Sequence, residues 1–232
     1  MSSVSYGRCR ITGRYSHGDE LLPQGSGRCL EVGARGSAYR SRVVAKGYSY
    51  FSLDLVPHPT LATVADAHAL PFREAVFDAV LLPCVLEHFR EPALAIREAV
   101  RVLKPGGILC GQVAFLEPYH RSYFHHSHLA LEHLLCEARL AERYVDTGIT
   151  GLVLIVSRML AFAGLRNTTL AYWIGRILFP FEVLVPLYKI ALFAAHWAKH
   201  GVEHDFERHF EERRRDLSLR MAGHLLFRAT VP

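Results

Sequence analysis

Residues Phe77–Leu82 read FDAVLL, apolar at every position but one. A strand with water on one face alternates polar and apolar side chains. A run without that alternation is buried on both faces and belongs in a parallel sheet covered by helices on each side. The neighbouring chain fits this constraint. Arg28–Val32 is a short apolar strand, Ser37–Lys46 suits a helix, and Tyr48–Leu55 alternates like a second strand, followed by the Pro-rich turn VPHPT. A brief strand over Thr63–Asp66 precedes the loop AHALPFREAV. Over Pro92–Leu103, Leu94, Ile96, Ala99, Val100 and Leu103 share one side of a helix, which the breaker Lys104–Gly107, KPGG, ends. Ile108–Phe115 is the next strand, a helix follows at about Leu129–Arg139, and strands are expected in LAERYVDTG and in the terminal HLLFRATV, His224–Val231. Strands alternating with helices at this spacing give a doubly wound α/β sheet.

With 232 residues, one core is the starting expectation. Residues 148–220 show no obvious strand. Within them Ile177–Ala198, ILFPFEVLVPLYKIALFAAHWA, is strongly apolar yet carries Glu182, Lys189, Pro180 and Pro186. A spanning helix needs about twenty apolar residues with few or no charges. An in-plane amphipathic pair or a cap over a pocket therefore fits better than a membrane span, and packing back onto the domain is the plain structural alternative. The expected organisation is a core of residues 1–147 and 221–232 with a hydrophobic helical insert over 148–220.

The formal charge is +5, but no Lys/Arg run is interleaved with aromatics, and Arg213–Arg215 sit among Glu211, Glu212 and Asp216, so nucleic acid is not an expected partner. Five widely spaced cysteines without a CxxC fit neither a disulfide framework nor a zinc site and suit a reducing cytosol. The opening MSSVSYGRCR lacks the apolar segment of a secretory signal.

Ligands of open α/β sheets sit at the carboxyl ends of the strands. The first such loop is Glu31-Val32-Gly33-Ala34-Arg35-Gly36; Asp54 ends the second strand, Asp66 the third, and Pro83-Cys84-Val85-Leu86-Glu87-His88 follows the fourth. A dinucleotide pyrophosphate needs GxGxxG amides at a helix N-terminus, and that spacing is missing. A nucleoside with a cationic amino-acid tail needs only one or two close-approach glycines and carboxylates for its hydroxyls and ammonium, which these loops offer.

The segments LEVGARG, YFSLDL, VADAHALPF, FDAVLLPCVLEHF and AIREAVRVLKPGGIL, in this order over Leu30–Leu109, resemble the class I S-adenosylmethionine-dependent methyltransferases of the type 11 kind. The resemblance implies a Rossmann-like sheet, mostly parallel with an antiparallel last strand, and says nothing about residues 148–220, the hydrophobic insert read above before that strand. It also implies S-adenosyl-L-methionine as cofactor and a small-molecule acceptor, lipophilic or of saccharide or natural-product type, methylated on oxygen or nitrogen. Carried over by position, Glu31 orients the methionine end, Gly33 permits close backbone approach, and Asp54, with Leu55 after it, takes the ribose hydroxyls. Asp66 and Ala67 hold the adenine edge, and Pro83 and Cys84 line the methionine side. The chain departs from the pattern at Arg35, which replaces the second glycine, and at Ser37, which replaces the third; Gly36 supplies permissive backbone one residue later, and Arg35 can reach the cofactor carboxylate. Plain readings stand beside these: Asp54 as a strand-end turn acid, Asp66 as an Asx-turn acid, Glu87 as a structural cap.

An oxygen or nitrogen acceptor must lose a proton, and a histidine suits that task near neutral pH. His88 after the fourth strand and His120, His125, His126 and His128 after the fifth are the candidates, with Tyr119, Tyr123 and Phe124 as an aromatic wall. No HExxH helix or companion carboxylate makes HRSYFHHSH a metal site. The insert, with Tyr172, Trp173, Tyr188 and Trp197, points to an apolar or membrane-delivered acceptor and to a membrane-surface association. The rival reading is a non-catalytic partner protein on the same fold, prompted by Arg35 and by an N-terminus without a long covering helix.

Overall fold

The computed structural model describes residues 5–6, 16–117, 121–164 and 219–232, with short helical pieces at 169–170, 173–174, 177, 191–192, 210–212 and 215–216. Eight strands form one sheet: β1 (Ser5–Tyr6), β2 (Arg28–Val32), β3 (Ser49–Asp54), β4 (Thr63–Val64), β5 (Phe77–Pro83), β6 (Leu103–Ala114), β7 (Ala141–Thr150) and β8 (Ala222–Thr230). Their order is β1-β7-β8-β6-β5-β2-β3-β4. Every neighbouring pair is parallel except those made by β8, which runs antiparallel to both β6 and β7.

Pleating sends successive residues of the central strands to opposite faces. Val80 and Leu82 join Leu30, Val113 and Phe227 under α2 (Pro92–Val102) and α3 (His128–Glu137), which contribute Ile96, Ala99, Leu131 and Leu135. Ala79 and Leu81 join Cys29 and Cys110 on the other face, against Val43 of α1 (Arg40–Ala45) and Leu22. The apolar run of β5 is thus buried on both faces, and only its Asp78 reaches solvent, where it binds Lys104 Nζ at 2.7 Å and the Arg28 N–H at 2.8 Å. After β7, α4 (Gly151–Phe162) packs Val153 and Leu154 on Ile149.

Three boundaries differ notably from the sequence expectation, and the N-terminal side adds elements it did not include. The helix expected from Ser37 begins at Arg40, because Ser37 has φ +51° and still belongs to the turn. The KPGG stretch does not separate helix from strand: β6 starts at Leu103 directly after α2, and Phe77 pairs with Leu103 but Ala79 with Ile108, so KPGG is accommodated as an irregularity inside the strand, with Gly106 at φ +73°. β7 runs on through Thr150, two residues past the start expected for the insert. At the N-terminal side, β1 pairs with β7, and residues 18–21 form a 3-10 turn, with the Gly18 N–H bonded to Gln112 Oε1 at 2.7 Å. A Cβ at Gly18 would stand 2.3 Å from the Gly111 carbonyl carbon, so this segment lies directly on the sheet.

Candidate functional site

Ten polar or charged side chains are buried among the described residues, and six of them, Glu31, Glu87, Gln112, Glu117, His126 and His224, lie at or just beyond the carboxyl edge of the sheet. β8 is antiparallel, so its first residues, His224 included, return to the edge where β6 ends, and His224 pairs with Ala114. Buried polar groups cost stability unless bonded, so their collection along one edge marks a site more sharply than a surface cleft does. A surface depression lined by Pro57, His58, Pro59, Leu61 and Val64 contains none of these groups.

The first loop leaves β2 through Gly33 at φ +77°, where a Cβ would stand 2.4 Å from Val85 Cγ2; glycine is required there by both backbone and space. Gly36 at φ +83° has open space around it, and Arg35 is absent from the positive-φ residues. The turn therefore places its left-handed positions at 33, 36 and 37, and an arginine at 35 costs the backbone nothing. The Arg35 N–H donates to Asp54 Oδ2 at 3.1 Å, and Asp54 Oδ1 accepts from the Val56 N–H at 2.9 Å. Asp54 is thus both the strand-end turn acid of the plain reading and the carboxylate beside the glycine loop, with lone pairs left beyond those two bonds. Leu55 is exposed next to it.

Glu31 is 2% exposed and accepts from the Tyr50 hydroxyl at 2.6 Å. Burial outweighs that bond and pushes its carboxyl up to about 7, so near neutral pH it stands between its acid and its base. Asp66 is exposed; its Oδ1 accepts from the backbone N–H of His68 at 2.9 Å and from His68 Nδ1 at 2.6 Å, and these bonds hold its carboxyl below the ordinary range. The Asx-turn reading is realised, beside the buried Ala67. Pro83 is the last residue of β5, and Cys84, at φ +50°, donates its N–H to the Gln112 carbonyl at 2.9 Å while its sulfur accepts from Gln112 Nε2 at 2.9 Å.

The expected histidines separate in space and role. His88 is exposed at the end of the 3-10 turn Leu86–His88. His125 is exposed and donates from Nδ1 to the Phe115 carbonyl at 2.6 Å. His126 is buried, and burial lowers its pKa, favouring the neutral ring. His128 opens α3. His120 and Tyr119 lie outside the described residues, as do Tyr172, Tyr188 and Trp197. Glu87 ties β5 to β6, its Oε1 accepting from the Ala114 N–H at 3.1 Å, and burial raises its carboxyl to about 7. The plain reading of Glu87 as a cap of the following helix is not realised: α2 has Glu91 at its N-cap without a side-chain cap bond, and the Glu87 carboxylate holds the end of β6 instead. Among the described residues no three His, Cys, Asp or Glu side chains group as metal ligands.

Sequence reasoning missed a second cluster on the same edge. His224 Nε2 donates to Glu117 Oε2 at 2.7 Å, both side chains being buried, and Glu117 Oε1 pairs with Arg158 of α4. Burial opposes ionisation of Glu117, but His224 and Arg158 together outweigh it and hold its carboxyl down at about 2. Nearby, His17 Nδ1 lies 3.2 Å from the Tyr39 hydroxyl, and the two rings meet edge to face. The strand-end rule that picked Asp54 would have picked Glu117, three residues past β6. His224 needed the direction of β8, which periodicity does not give.

Residues 30–111 match the family described as the methyltransferase domain. An uncharacterized methyltransferase of Mycobacterium tuberculosis is 34% identical over 101 residues, covering 39% of this chain and 41% of the relative. A demethylmenaquinone methyltransferase of Streptomyces griseus is 33% identical over 90 residues, covering 33% and 39%. The chain thus spans about two-fifths of the length of these curated relatives. Among solved structures, the [4+2]-cyclase SpnF superposes with a TM-score of 0.55 at 18% identity, covering 97% of this chain and 88% of the other. Phosphoethanolamine N-methyltransferase 2 of Haemonchus contortus, solved with S-adenosyl-L-methionine, gives 0.54 at 14%, covering 92% and 51%. Identities this low speak for the fold alone, and a cyclase among them shows why a fold does not name a reaction. Residues 30–111 therefore resemble the methyltransferase domain, on a chain that shares the fold of these solved structures.

Proposed function

We propose that the protein is an S-adenosylmethionine-dependent methyltransferase acting on a small-molecule acceptor. The observation that carries this reading is the joining of the Gly33–Gly36 turn to Asp54 through the Arg35 N–H, beside the buried carboxyl of Glu31. This donor set fits the cofactor: a carboxylate with spare lone pairs for the ribose hydroxyls at Asp54, a buried acid for the ammonium end at Glu31, and Asp66 with Ala67 for the adenine edge. When bound, S-adenosylmethionine supplies a methyl group on a sulfonium. The work left to the chain is alignment and exclusion of water, which sets a nucleophile in line with that carbon. Residues Gly18–Leu21 on one side and α4 on the other flank the carboxyl edge, where the Glu117–His224 pair and the His17–Tyr39 pair lie. A proton leaving an oxygen or nitrogen acceptor meets titratable groups there rather than at the exposed His88 or His125.

The names of the sequence relatives support methyl transfer. One observation favours the rival reading, a non-catalytic partner: both Asp54 oxygens already hold backbone N–H groups of this chain. Titration calorimetry with S-adenosylmethionine and S-adenosylhomocysteine, beside Asp54→Ala, decides between them. Micromolar binding that the variant loses upholds the enzyme. Absence of heat with folded protein moves the reading to the partner.

A further inference from the structure

The outer face of α4 carries Ile155, Met159 and Phe162, spaced by four and three residues and therefore stacked along one side of the helix; they are 41%, 68% and 97% exposed. The inner face is fixed, with Val153 and Leu154 packed on Ile149, while Arg158, half-exposed beside the outer stripe, pairs with the buried Glu117. Farther on, Leu170, Trp173 and Ile177 repeat the three-and-four spacing and are again exposed. Six large apolar side chains presented at helical spacing exceed the scattered exposure ordinary for a soluble surface.

The charge of this part of the chain indicates what covers that face. Residues 148–199 hold five Lys or Arg and one acid, Glu182, a net +4 out of +5 for the whole protein. A second copy would bring the same +4 against it. An anionic lipid surface is complementary in both respects, since it takes apolar side chains at the acyl boundary and cations at the headgroups. Among the described residues no helix is long and apolar enough to cross a membrane; exposed apolar side chains along one side of a helix suit a helix lying in the interface.

We propose that the outer face of α4 docks on an anionic lipid bilayer and that the acceptor is a lipophilic molecule drawn from it. The substrate half of this inference rests on the methyltransferase reading above. α4 follows directly on Thr150, at the carboxyl edge, and Arg158 links it to Glu117 and through it to His224. The docked face and the candidate site thus meet at Arg158. An acceptor leaving the bilayer reaches the site without crossing bulk water.

Both tryptophans of the chain, Trp173 and Trp197, lie in residues 148–199, so tryptophan emission, excited beyond the tyrosine band, reports on this part alone. Full-length protein is mixed with vesicles of phosphatidylcholine, or of phosphatidylcholine with phosphatidylglycerol, and sedimentation and tryptophan emission are followed at low and high salt. The same preparations are titrated with S-adenosylmethionine. The expected result is binding to the anionic vesicles with a blue shift, weakened by salt, and reduced roughly tenfold or more in Met159→Glu/Phe162→Glu while cofactor uptake is retained. No binding to either vesicle by protein that takes up cofactor overturns the docking and leaves the function standing. Equal binding by the variant overturns the assignment to this face. Self-association abolished by the same substitutions, without vesicle binding, overturns it in favour of a second copy. Vesicle binding without cofactor uptake upholds the docking and sinks the methyltransferase reading and, with it, the proposed acceptor route.

Discussion

Replacing Glu31 with glutamine should stabilise the protein while weakening its site. The carboxyl is 2% exposed and its pKa is raised from 4.5 to about 7, chiefly by burial. A carboxyl that binds its proton more tightly folded than unfolded loses stability as pH rises between the two values, because the unfolded chain ionises first. The displacement corresponds to a penalty of about 3 kcal/mol, absent below pH 4.5 and complete above about pH 7. Glutamine keeps an oxygen for the Tyr50 hydroxyl, 2.6 Å away in the native chain, and removes the titration. Urea unfolding of wild type and Glu31→Gln, compared from about pH 4 to about pH 8, should give no difference at the acid end and a gain for the variant approaching 3 kcal/mol at the alkaline end. Glu87 has the same direction and a similar value, so the wild-type curve contains both groups; the difference curve isolates Glu31. Cofactor affinity should move the other way. A cationic ammonium drawn to Glu31 needs the ionised form, so wild-type binding should strengthen through about pH 7 with proton release, and the variant's should be flat. A variant no more stable than wild type at alkaline pH, or a difference curve without slope, would refute the argument that burial governs this group.

Gly33→Ala should cost about 2–4 kcal/mol, from positive φ together with the Val85 clash, whereas Gly36→Ala, with positive φ but open space, should cost about 1 kcal/mol; thermal melts of the pair test the turn. Glu117→Gln should cost about 3 kcal/mol at neutral pH by weakening the pairs with His224 and Arg158. Because the folded carboxyl is held at about 2, this contribution is present above about pH 4.5 and lost as pH falls toward 2, so the variant should show a flatter acid limb in urea unfolding. Arg35→Gly should leave cofactor affinity within about threefold, since the Asp54 bond comes from the backbone N–H; a larger loss in calorimetry would assign the side chain a contact of its own.

The order of strands and helices from Arg28 to Ala114 was legible because it follows from local rules. An apolar run without alternation, as in FDAVLL, has one stable setting, and a turn built on Gly33 has one chemistry. The same rules put Glu31, Asp54, Asp66 and Cys84 at strand ends, since in a parallel sheet the end of each strand is also the edge where ligands of such sheets sit. The KPGG stretch misled because a breaker ends hydrogen-bonded repeats only where no neighbouring strand takes up the irregularity, and β5 does so. Residue type gives chemistry without direction, so the orientation of the histidine candidates was not legible: His125 turns to a carbonyl of its own loop and His126 is buried.

The sequence by itself determined the parallel α/β core, the glycine turn and the acids along its edge, all contacts of short range along the chain. Only the tertiary structure joined Glu117 to His224 across 107 positions, through the reversed direction of β8, and set Arg158 of α4 beside them. That pairing depends on which strands lie together and which way they run. It is settled by the burial of both sheet faces at once, a property of the whole chain that no local window contains.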